Sequence, residues 1–158
     1  MSDSAGPAGY AKFLPSDIPD SHQPFWQSLR EHAVKVQRCD DCGSFRYIPK
    51  DICPRCHSAL ATWTPVSGHG EVYTFTVVRR APTAAYQEEA PYVLAHVTME
   101  EGFRMIANLT GTPPEAVRIG MPVRLGYLDV TPDWTLLTFE PAPGPATTAD
   151  ATAEAGAR

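Results

Sequence analysis

The spacing of hydrophobic positions predicts a short helix and then a strand at the start of the ordered chain. In SHQPFWQSLREH, residues 21–32, the apolar side chains recur at helical spacing and fall on one side. Ser21 is placed to act as the N-cap, and Pro24 suits the first turn. The following AVKVQR, residues 33–38, alternates with period two, as a half-buried strand does.

Beyond a cysteine-rich stretch, the period is two through most of the remaining chain, which predicts a mainly β fold. Five segments read as strands: residues 70–80, 92–100, 103–110, 121–130 and 134–141. Glu101 and Gly102 form a tight connection, and residues 113–120 read as one helical turn. Five short strands with a helical element after the third are typical of an OB-fold barrel. Another small β-sandwich or an open barrel is the alternative.

These patterns divide the 158 residues into four parts. We expect a flexible N-terminal arm (1–20), a helix with a cysteine-rich ribbon (21–62), a barrel (63–141) and a disordered tail (142–158). Hydrophobic residues make up 43% of the chain and charged residues 20%, which is enough apolar material for a packed core.

The stretch CDDCGSFRYIPKDICPRC contains every cysteine of the chain, as two CxxC pairs separated by ten residues. Four thiolates are the usual tetrahedral ligand set of structural zinc, and they leave no open position for activating water. We therefore predict a rubredoxin-like zinc ribbon that binds one structural zinc through Cys39, Cys42, Cys53 and Cys56. Iron in the same ligands and a thiol redox pair are the alternatives. His57 could replace one ligand, although a loop position is expected for it.

Charge and hydropathy narrow the class of protein. The formal net charge of −5 disfavours general nucleic-acid binding, which depends on neutralising phosphates. No apolar run approaches the ~18 residues that span a bilayer, and residues 1–21 lack the features of a signal peptide. A cytoplasmic protein without a membrane partner is therefore expected.

The order of motifs resembles a known family. PFWQSL, CDDCG, CPRC, SGHGEVYTFTVV, PYVLAHVTMEEGFRMIANLTG, IGMPVRLGY and TFEP follow one another as in the zinc-ribbon plus OB-fold proteins found beside acyl-CoA enzymes. The similarity covers residues 21–141. One departure is IPK at 48–50, where the family commonly has Pro-Pro-Arg, so Lys50 keeps the charge without the planar fork of arginine.

The resemblance implies a non-catalytic accessory subunit that binds the CoA part of an acyl-CoA. Its partner would be a thiolase-like enzyme, a lipid-transfer-type aldolase of steroid side-chain breakdown, or a hot-dog-fold hydratase. Residues 33–80 carry a net charge of +3 and residues 81–141 one of −5, which favours anion contact on the ribbon side. The candidate CoA contacts are Arg46, Lys50, Arg55, Arg79 and Arg80.

Four aromatic residues are candidates for docking on the partner: Phe25, Trp26, Phe45 and Tyr47. No motif places a nucleophile or general base, and the cysteines are committed to metal, so no catalytic residue is predicted. The alternative function is a single-stranded nucleic-acid-binding module, because ribbons and OB barrels both bind strands.

Overall fold

The computed structural model describes residues 12–15 and 17–143. Its regular elements are α1 (Gln23–Arg30), β1 (Lys35–Cys39), β2 (Phe45–Arg46), β3 (Ala61–Pro65), β4 (His69–Val78), β5 (Tyr92–Met99), β6 (Arg104–Leu109), β7 (Pro122–Thr131) and β8 (Trp134–Pro141). Short 3-10 turns cover Asp20–His22, Ala84–Glu89 and Pro114–Ala116. Most of the predicted arm and nearly all of the predicted tail lie outside the described residues.

Helix α1 forms where the spacing predicts it and packs against β1 and β8. Phe25 and Leu29 are buried at 4% and 1% exposure, and each such burial contributes roughly 1.5–3 kcal/mol. Pro24 lies in the first turn, as expected. The predicted cap is wrong: Ser21 lies in the preceding 3-10 turn, and His22 is the N-cap residue without a side-chain cap bond.

The ribbon is a three-stranded antiparallel sheet in the order β2-β1-β3. Strand β3 was not predicted, although it pairs with β1 along its whole length, from Lys35 opposite Pro65 to Cys39 opposite Ala61. This third strand covers the edge of β1 that lies opposite β2, so β1 is the central strand of the ribbon sheet. The domain limits proposed from the sequence stay a prediction.

Strands β4 to β8 form a closed barrel in the order β4-β5-β6-β8-β7, which confirms the predicted OB-fold barrel. Strand β4 pairs with both β5 and β7, and β6 pairs with β8 in parallel, so no barrel edge is left open. The predicted helical element after the third barrel strand is the 3-10 turn at Pro114–Ala116. The tight Glu101–Gly102 connection is present, with Gly102 at φ 83°.

The barrel interior is filled by alternate residues of its strands. Along β5, buried and more exposed positions alternate, as expected for a sheet with one face on the core. The most deeply buried apolar side chains of the barrel are Val72, Val93, Ala95, Val97, Met99, Met105, Leu109, Val123 and Phe139. This closed, apolar interior makes the barrel the rigid platform on which the ribbon is mounted.

Aromatic contacts join the ribbon to the barrel. The Phe45 ring of β2 stacks on Phe103 at a centroid distance of 4.9 Å. The Tyr47 hydroxyl donates to the carbonyl of Ile106 in β6 at 3.3 Å. These contacts fix the orientation of the metal-binding loops relative to the β5–β6 hairpin.

We predict that Gly70→Ala destabilises the barrel, because a Cβ on Gly70 would lie 2.5 Å from the backbone oxygen of Thr98. Since that oxygen belongs to the paired strand, it cannot move without disturbing the sheet. We expect a loss of about 1–3 kcal/mol in the free energy of unfolding, measured by urea denaturation. Glu71→Ala is the control, because it places an alanine at the exposed neighbouring position of the same strand. An equal loss in both variants would contradict this explanation.

Candidate metal centre and ligand surfaces

The first CxxC turn is shaped by backbone hydrogen bonds around Cys39. The amide of Gly43 donates to the Cys39 carbonyl at 2.9 Å, and the Cys39 amide donates to the Ser44 carbonyl at 2.9 Å. Gly43 has φ 70°, a left-handed conformation that glycine adopts without steric cost. The loop therefore turns tightly enough to bring Cys42 back beside Cys39.

The second CxxC turn repeats this geometry. The amide of His57 donates to the Cys53 carbonyl at 2.9 Å, and the Cys53 amide donates to the Ser58 carbonyl at 2.8 Å. His57 has φ 61° and occupies the place that Gly43 has in the first turn. It is an exposed turn residue, and the four-residue metal cluster of the described chain consists of cysteines alone.

The four sulfur atoms are arranged to hold one metal ion. All of them lie within 4.8 Å of one another. The Sγ atoms of Cys39 and Cys56 are 3.5 Å apart, and those of Cys42 and Cys53 are 3.6 Å apart. A tetrahedral zinc with Zn–S bonds of about 2.3 Å places its sulfur atoms about 3.8 Å apart. The donor set and spacing fit structural zinc, which confirms the predicted site.

The thiols have unequal proton affinities in the absence of a cation. The backbone amide of Cys42 and the side chain of Arg46 lower the pKa of Cys39 to about 6, against the effect of burial. Backbone amides of Cys56 and Arg55 lower the pKa of Cys53. For Cys56, the Ser58 amide lowers the pKa, but neighbouring cysteine side chains and burial raise it to about 12. A divalent cation removes this mutual repulsion and allows all four thiolates to form.

Arg46 is placed differently from the sequence expectation. It is 1% exposed, and its guanidinium donates to backbone carbonyls within the ribbon. Such a buried group has no solvent-facing donor for a phosphate. Arg46 is therefore a poor candidate for a CoA contact, contrary to what its position between Phe45 and Tyr47 suggested.

The other candidate cations are exposed but do not form one cluster. Lys50 and Arg55 lie on the ribbon loops, whereas Arg79 and Arg80 follow the far end of β4. The start of β4 lies beside the β5–β6 hairpin, where Gly70 pairs with Met99. Ten residues of strand span roughly 30 Å, so the two pairs of cations face different ends of the barrel.

Arg55 lines a cleft of about 310 Å³ between the first cysteine turn and the β5–β6 hairpin. Its Nη1 atom lies 3.5 Å from the Ser44 hydroxyl. The Phe45 and Phe103 rings line the same cleft. The carboxylate of Glu101 also lies there, and it accepts a hydrogen bond from the Ser67 amide. The cleft thus combines one cation, one carboxylate, hydroxyl and backbone groups, and a flat apolar wall.

The four aromatic docking candidates are largely engaged within the chain. Phe25 is in the core, 6.1 Å from the Tyr47 ring. Trp26 is half-buried and packs edge-on against Trp134 at 5.2 Å. Phe45 and Tyr47 contact the barrel, as described above. All four were candidates for docking on a partner, and each of them makes contacts within the chain.

Exposed apolar side chains lie elsewhere on the ribbon. Ile48, Ile52 and Leu60 are 56%, 56% and 62% exposed. Their exposure was not predicted from the sequence, because branched apolar residues are normally expected in the core. Their exposure was predictable from one feature: they lie in a metal-bound ribbon that is too small to enclose them.

A histidine–carboxylate contact joins the end of α1 to β7. His32 Nε2 lies 2.9 Å from Asp129 Oδ1, and its ring stacks on Tyr127 at 4.6 Å. The Thr135 hydroxyl donates to the same oxygen, and together with His32 it lowers the pKa of Asp129. Both side chains of the pair are exposed. This arrangement attaches the helix to the barrel.

Comparison with family models identifies both parts of the chain. Residues 26–61 match the model described as the rubredoxin-like zinc ribbon domain of ChsH2. Residues 63–127 match the C-terminal OB-fold domain of ChsH2. Within the described ranges, no helix has the length and hydropathy needed to cross a bilayer. The cytoplasmic location stays a prediction.

Two relatives and one solved structure show the range of similar proteins. The chain is 37% identical to the 3-oxo-4,17-pregnadiene-20-carboxyl-CoA hydratase alpha subunit of Mycobacterium tuberculosis, over 85% of this chain and 45% of the relative. It is 34% identical to a DUF35 domain-containing scaffold protein of Methanocaldococcus jannaschii, over 68% of this chain and 77% of the relative. A chain in the structure of the Ltp2-ChsH2(DUF35) aldolase superposes with a TM-score of 0.71 at 34% identity, covering 80% of this chain and 98% of that one.

The matched proteins differ in length. This chain spans less than half of the hydratase-named relatives that it matches. It covers most of the DUF35 scaffold protein and nearly all of the aldolase chain. The similarity therefore describes a ribbon-and-barrel unit that occurs both by itself and within longer proteins.

We predict that Cys53→Ser abolishes stable metal binding and unfolds residues 39–56, because the ribbon has little core apart from its metal ligands. Metal analysis of the purified chain should fall from one zinc per chain toward none. Amide hydrogen exchange should show lost protection in the ribbon and retained protection in β4–β8. Ser58→Ala is the control, since only its backbone carbonyl serves the second cysteine turn. A fully protected ribbon in Cys53→Ser would contradict the prediction.

Proposed function

Because the chain belongs to the DUF35 family of zinc-ribbon plus OB-fold proteins, whose models carry the name of ChsH2, we propose that it is a non-catalytic accessory subunit. In this proposal it docks on a thiolase-superfamily partner and binds the CoA part of that partner's acyl-CoA substrate. The partner supplies the reacting groups. This chain contributes positioning, which can lower a barrier by several kcal/mol without any bond to its own side chains.

The observation that carries the proposal is the likeness to the chain of the Ltp2-ChsH2(DUF35) aldolase. That likeness extends over 98% of the other chain, so the whole ribbon-and-barrel unit is shared with a subunit of an aldolase assembly. The described cysteines support a non-catalytic role, since all four lie together as one ligand set and none is available as a nucleophile.

The names of the relatives favour a partner that acts on an acyl-CoA. One is called a subunit of an acyl-CoA hydratase, another a scaffold protein, and the structural neighbour an aldolase. A lipid-transfer-type aldolase or another thiolase-like enzyme is the partner we propose, with steroid side-chain breakdown as the pathway class. A hot-dog-fold hydratase is the second candidate partner.

For the CoA contact we propose Arg55 and its cleft, with Lys50 as a further exposed cation on the ribbon loops. The cleft offers a guanidinium at its rim, hydroxyl and amide groups along its wall, and the stacked Phe45 and Phe103 rings. These are the features that a phosphate-bearing, amide-containing arm requires. Arg79 and Arg80 lie at the other end of the barrel. Their substitution therefore serves as the control when CoA binding by Arg55 is tested.

For docking we propose the exposed apolar triplet of Ile48, Ile52 and Leu60. Exposed apolar side chains are typical of protein-binding surfaces, and the loops that carry these three are joined by the hydrogen bonds of Arg46. They extend from loops held by the metal site, so their positions are set before a partner binds. A preformed patch loses less conformational freedom on association than a flexible one.

We predict that Arg55→Gln weakens CoA binding about threefold to tenfold, because it removes one partly exposed cation from the cleft. Isothermal titration of the full chain with CoA provides the measurement. Arg79→Gln is the matched control, since it removes an exposed arginine at the opposite end of β4. Equal affinities of the two variants for CoA would place the CoA contact elsewhere. If the wild-type chain does not bind CoA, the proposal of CoA binding is wrong.

We predict that the chain co-elutes with a thiolase-like protein encoded beside it, and that Ile52→Asp abolishes co-elution. A carboxylate in an apolar contact leaves an unpaired charge in the interface, which costs several kcal/mol. Size exclusion of the co-expressed pair, with zinc analysis of the peak, provides the measurement. Ile119→Asp is the control, because Ile119 is an exposed isoleucine in the loop before β7, at 69% exposure against 56% for Ile52. A monomer that instead shifts single-stranded DNA or RNA would favour the nucleic-acid alternative.

A further inference from the structure

Arg46 is a buried cation for which the folded chain provides no carboxylate. It is the largest of the fully buried side chains, at 1% exposure. The ion pairs among residues 12–15 and 17–143 involve other cations, and none includes Arg46. A buried charge without a counter-charge is strongly unfavourable, so an anion must lie close to it.

The hydrogen bonds of Arg46 go to neutral acceptors. Nη1 donates to the carbonyls of Lys50 and Asp51 at 3.3 and 3.4 Å. Nη2 donates to the carbonyls of Ser58 and Leu60 at 2.9 and 2.7 Å. The remaining donor, Nε, is buried and has no partner among the described residues. These bonds hold the two loops that flank the second cysteine turn, but they do not balance the charge.

The cysteine cluster is the anion within reach. Four thiolates around one divalent ion carry a net charge of −2. The Ser58 carbonyl that accepts from Arg46 Nη2 also accepts from the Cys53 amide. The Leu60 carbonyl accepts from the same Nη2 and from the amide of Asp40, the residue after Cys39. The guanidinium therefore lies against backbone groups that belong to both cysteine turns.

We propose that Arg46 is the fixed counter-charge of the metal centre, so that the tetrathiolate site and the guanidinium together carry a net charge of −1. The same side chain ties the loop at Lys50–Asp51 to the loop at Ser58–Leu60. It thereby couples metal retention to the positions of the loops that carry Ile52 and Leu60. This inference concerns the metal site alone and stands independently of the proposed accessory function.

Arginine suits this role better than lysine for a geometric reason. The planar guanidinium has five donors in a fixed fork and reaches four carbonyls on two loops at once. An ammonium has three donors around one point and cannot span both loops. Lysine would keep the charge while losing most of the bridging, which makes it possible to separate the two contributions by experiment.

The test uses zinc affinity of the full chain, measured by chelator competition at constant pH. Arg46→Gln should weaken zinc binding about 10- to 100-fold, as removal of an outer-shell partner of a metal ligand typically does. Arg46→Lys should lie between Gln and the wild type. Arg38→Gln is the matched control: Arg38 directly precedes Cys39, but it is exposed, with its guanidinium 6.0 Å from the Phe45 ring centre.

A second readout reports the charge itself. In the Co²⁺-substituted protein, a nearby cation stabilises the sulfur electrons and raises the energy of the sulfur-to-cobalt charge-transfer band. The band should shift to longer wavelength in Arg46→Gln, much less in Arg46→Lys, and not at all in Arg38→Gln. If Arg46→Gln loses the metal while Arg46→Lys and Arg38→Gln retain it, that result supports the same conclusion.

Two results would overturn the proposal. One is wild-type zinc affinity and an unchanged cobalt spectrum in Arg46→Gln. The other is equal weakening in the Lys and Gln variants, which would show that Arg46 acts only by bridging carbonyls. Neither result depends on a partner or on CoA, so the outcome is separate from that of the proposed function.

Discussion

The tetrathiolate site is the constraint on which the ribbon depends. Strand β2 has only two residues, and the two cysteine turns consist of loop backbone. Such a segment buries too little apolar surface to fold alone, so metal binding supplies much of its folding free energy. The nearly identical backbone bonding of the two turns aims all four sulfur atoms at one point. The exposed loops between the turns are ordered as a consequence.

The barrel supplies what the ribbon lacks. Closure through β4–β7 and β6–β8 satisfies the strand edges and encloses an apolar interior. The ribbon then attaches through Phe45 on Phe103 and Tyr47 on β6. The result is a unit in which the cleft and the ribbon loops that carry three exposed apolar side chains are held in a defined orientation. This kind of preorganisation suits a subunit that positions substrate for another protein.

Regular, locally encoded features were predictable, and features that depend on packing were not. The five barrel strands, the helix around Pro24 and the four metal ligands follow from period and spacing. Strand β3 was missed because ATWTP, although it alternates apolar and polar residues, has only five residues and ends in a proline. Pairing with β1 along its whole length makes it a strand. Arg46 was predicted to contact CoA because a cation between two aromatic residues is expected at the surface. Its burial depends on four carbonyls and two thiolates from other parts of the ribbon.

By itself, the sequence determined the metal-ligand set and the architecture, because cysteine spacing and hydrophobic period are local quantities that survive in any correct fold. Only the tertiary structure decided which side chains are available for binding. It turned Phe25, Phe45 and Tyr47 inward and left Ile48, Ile52 and Leu60 exposed. It also placed Arg55 in a cleft and Arg79 at the opposite end of β4. Exposure and proximity arise from contacts between distant segments, which spacing along the chain does not encode.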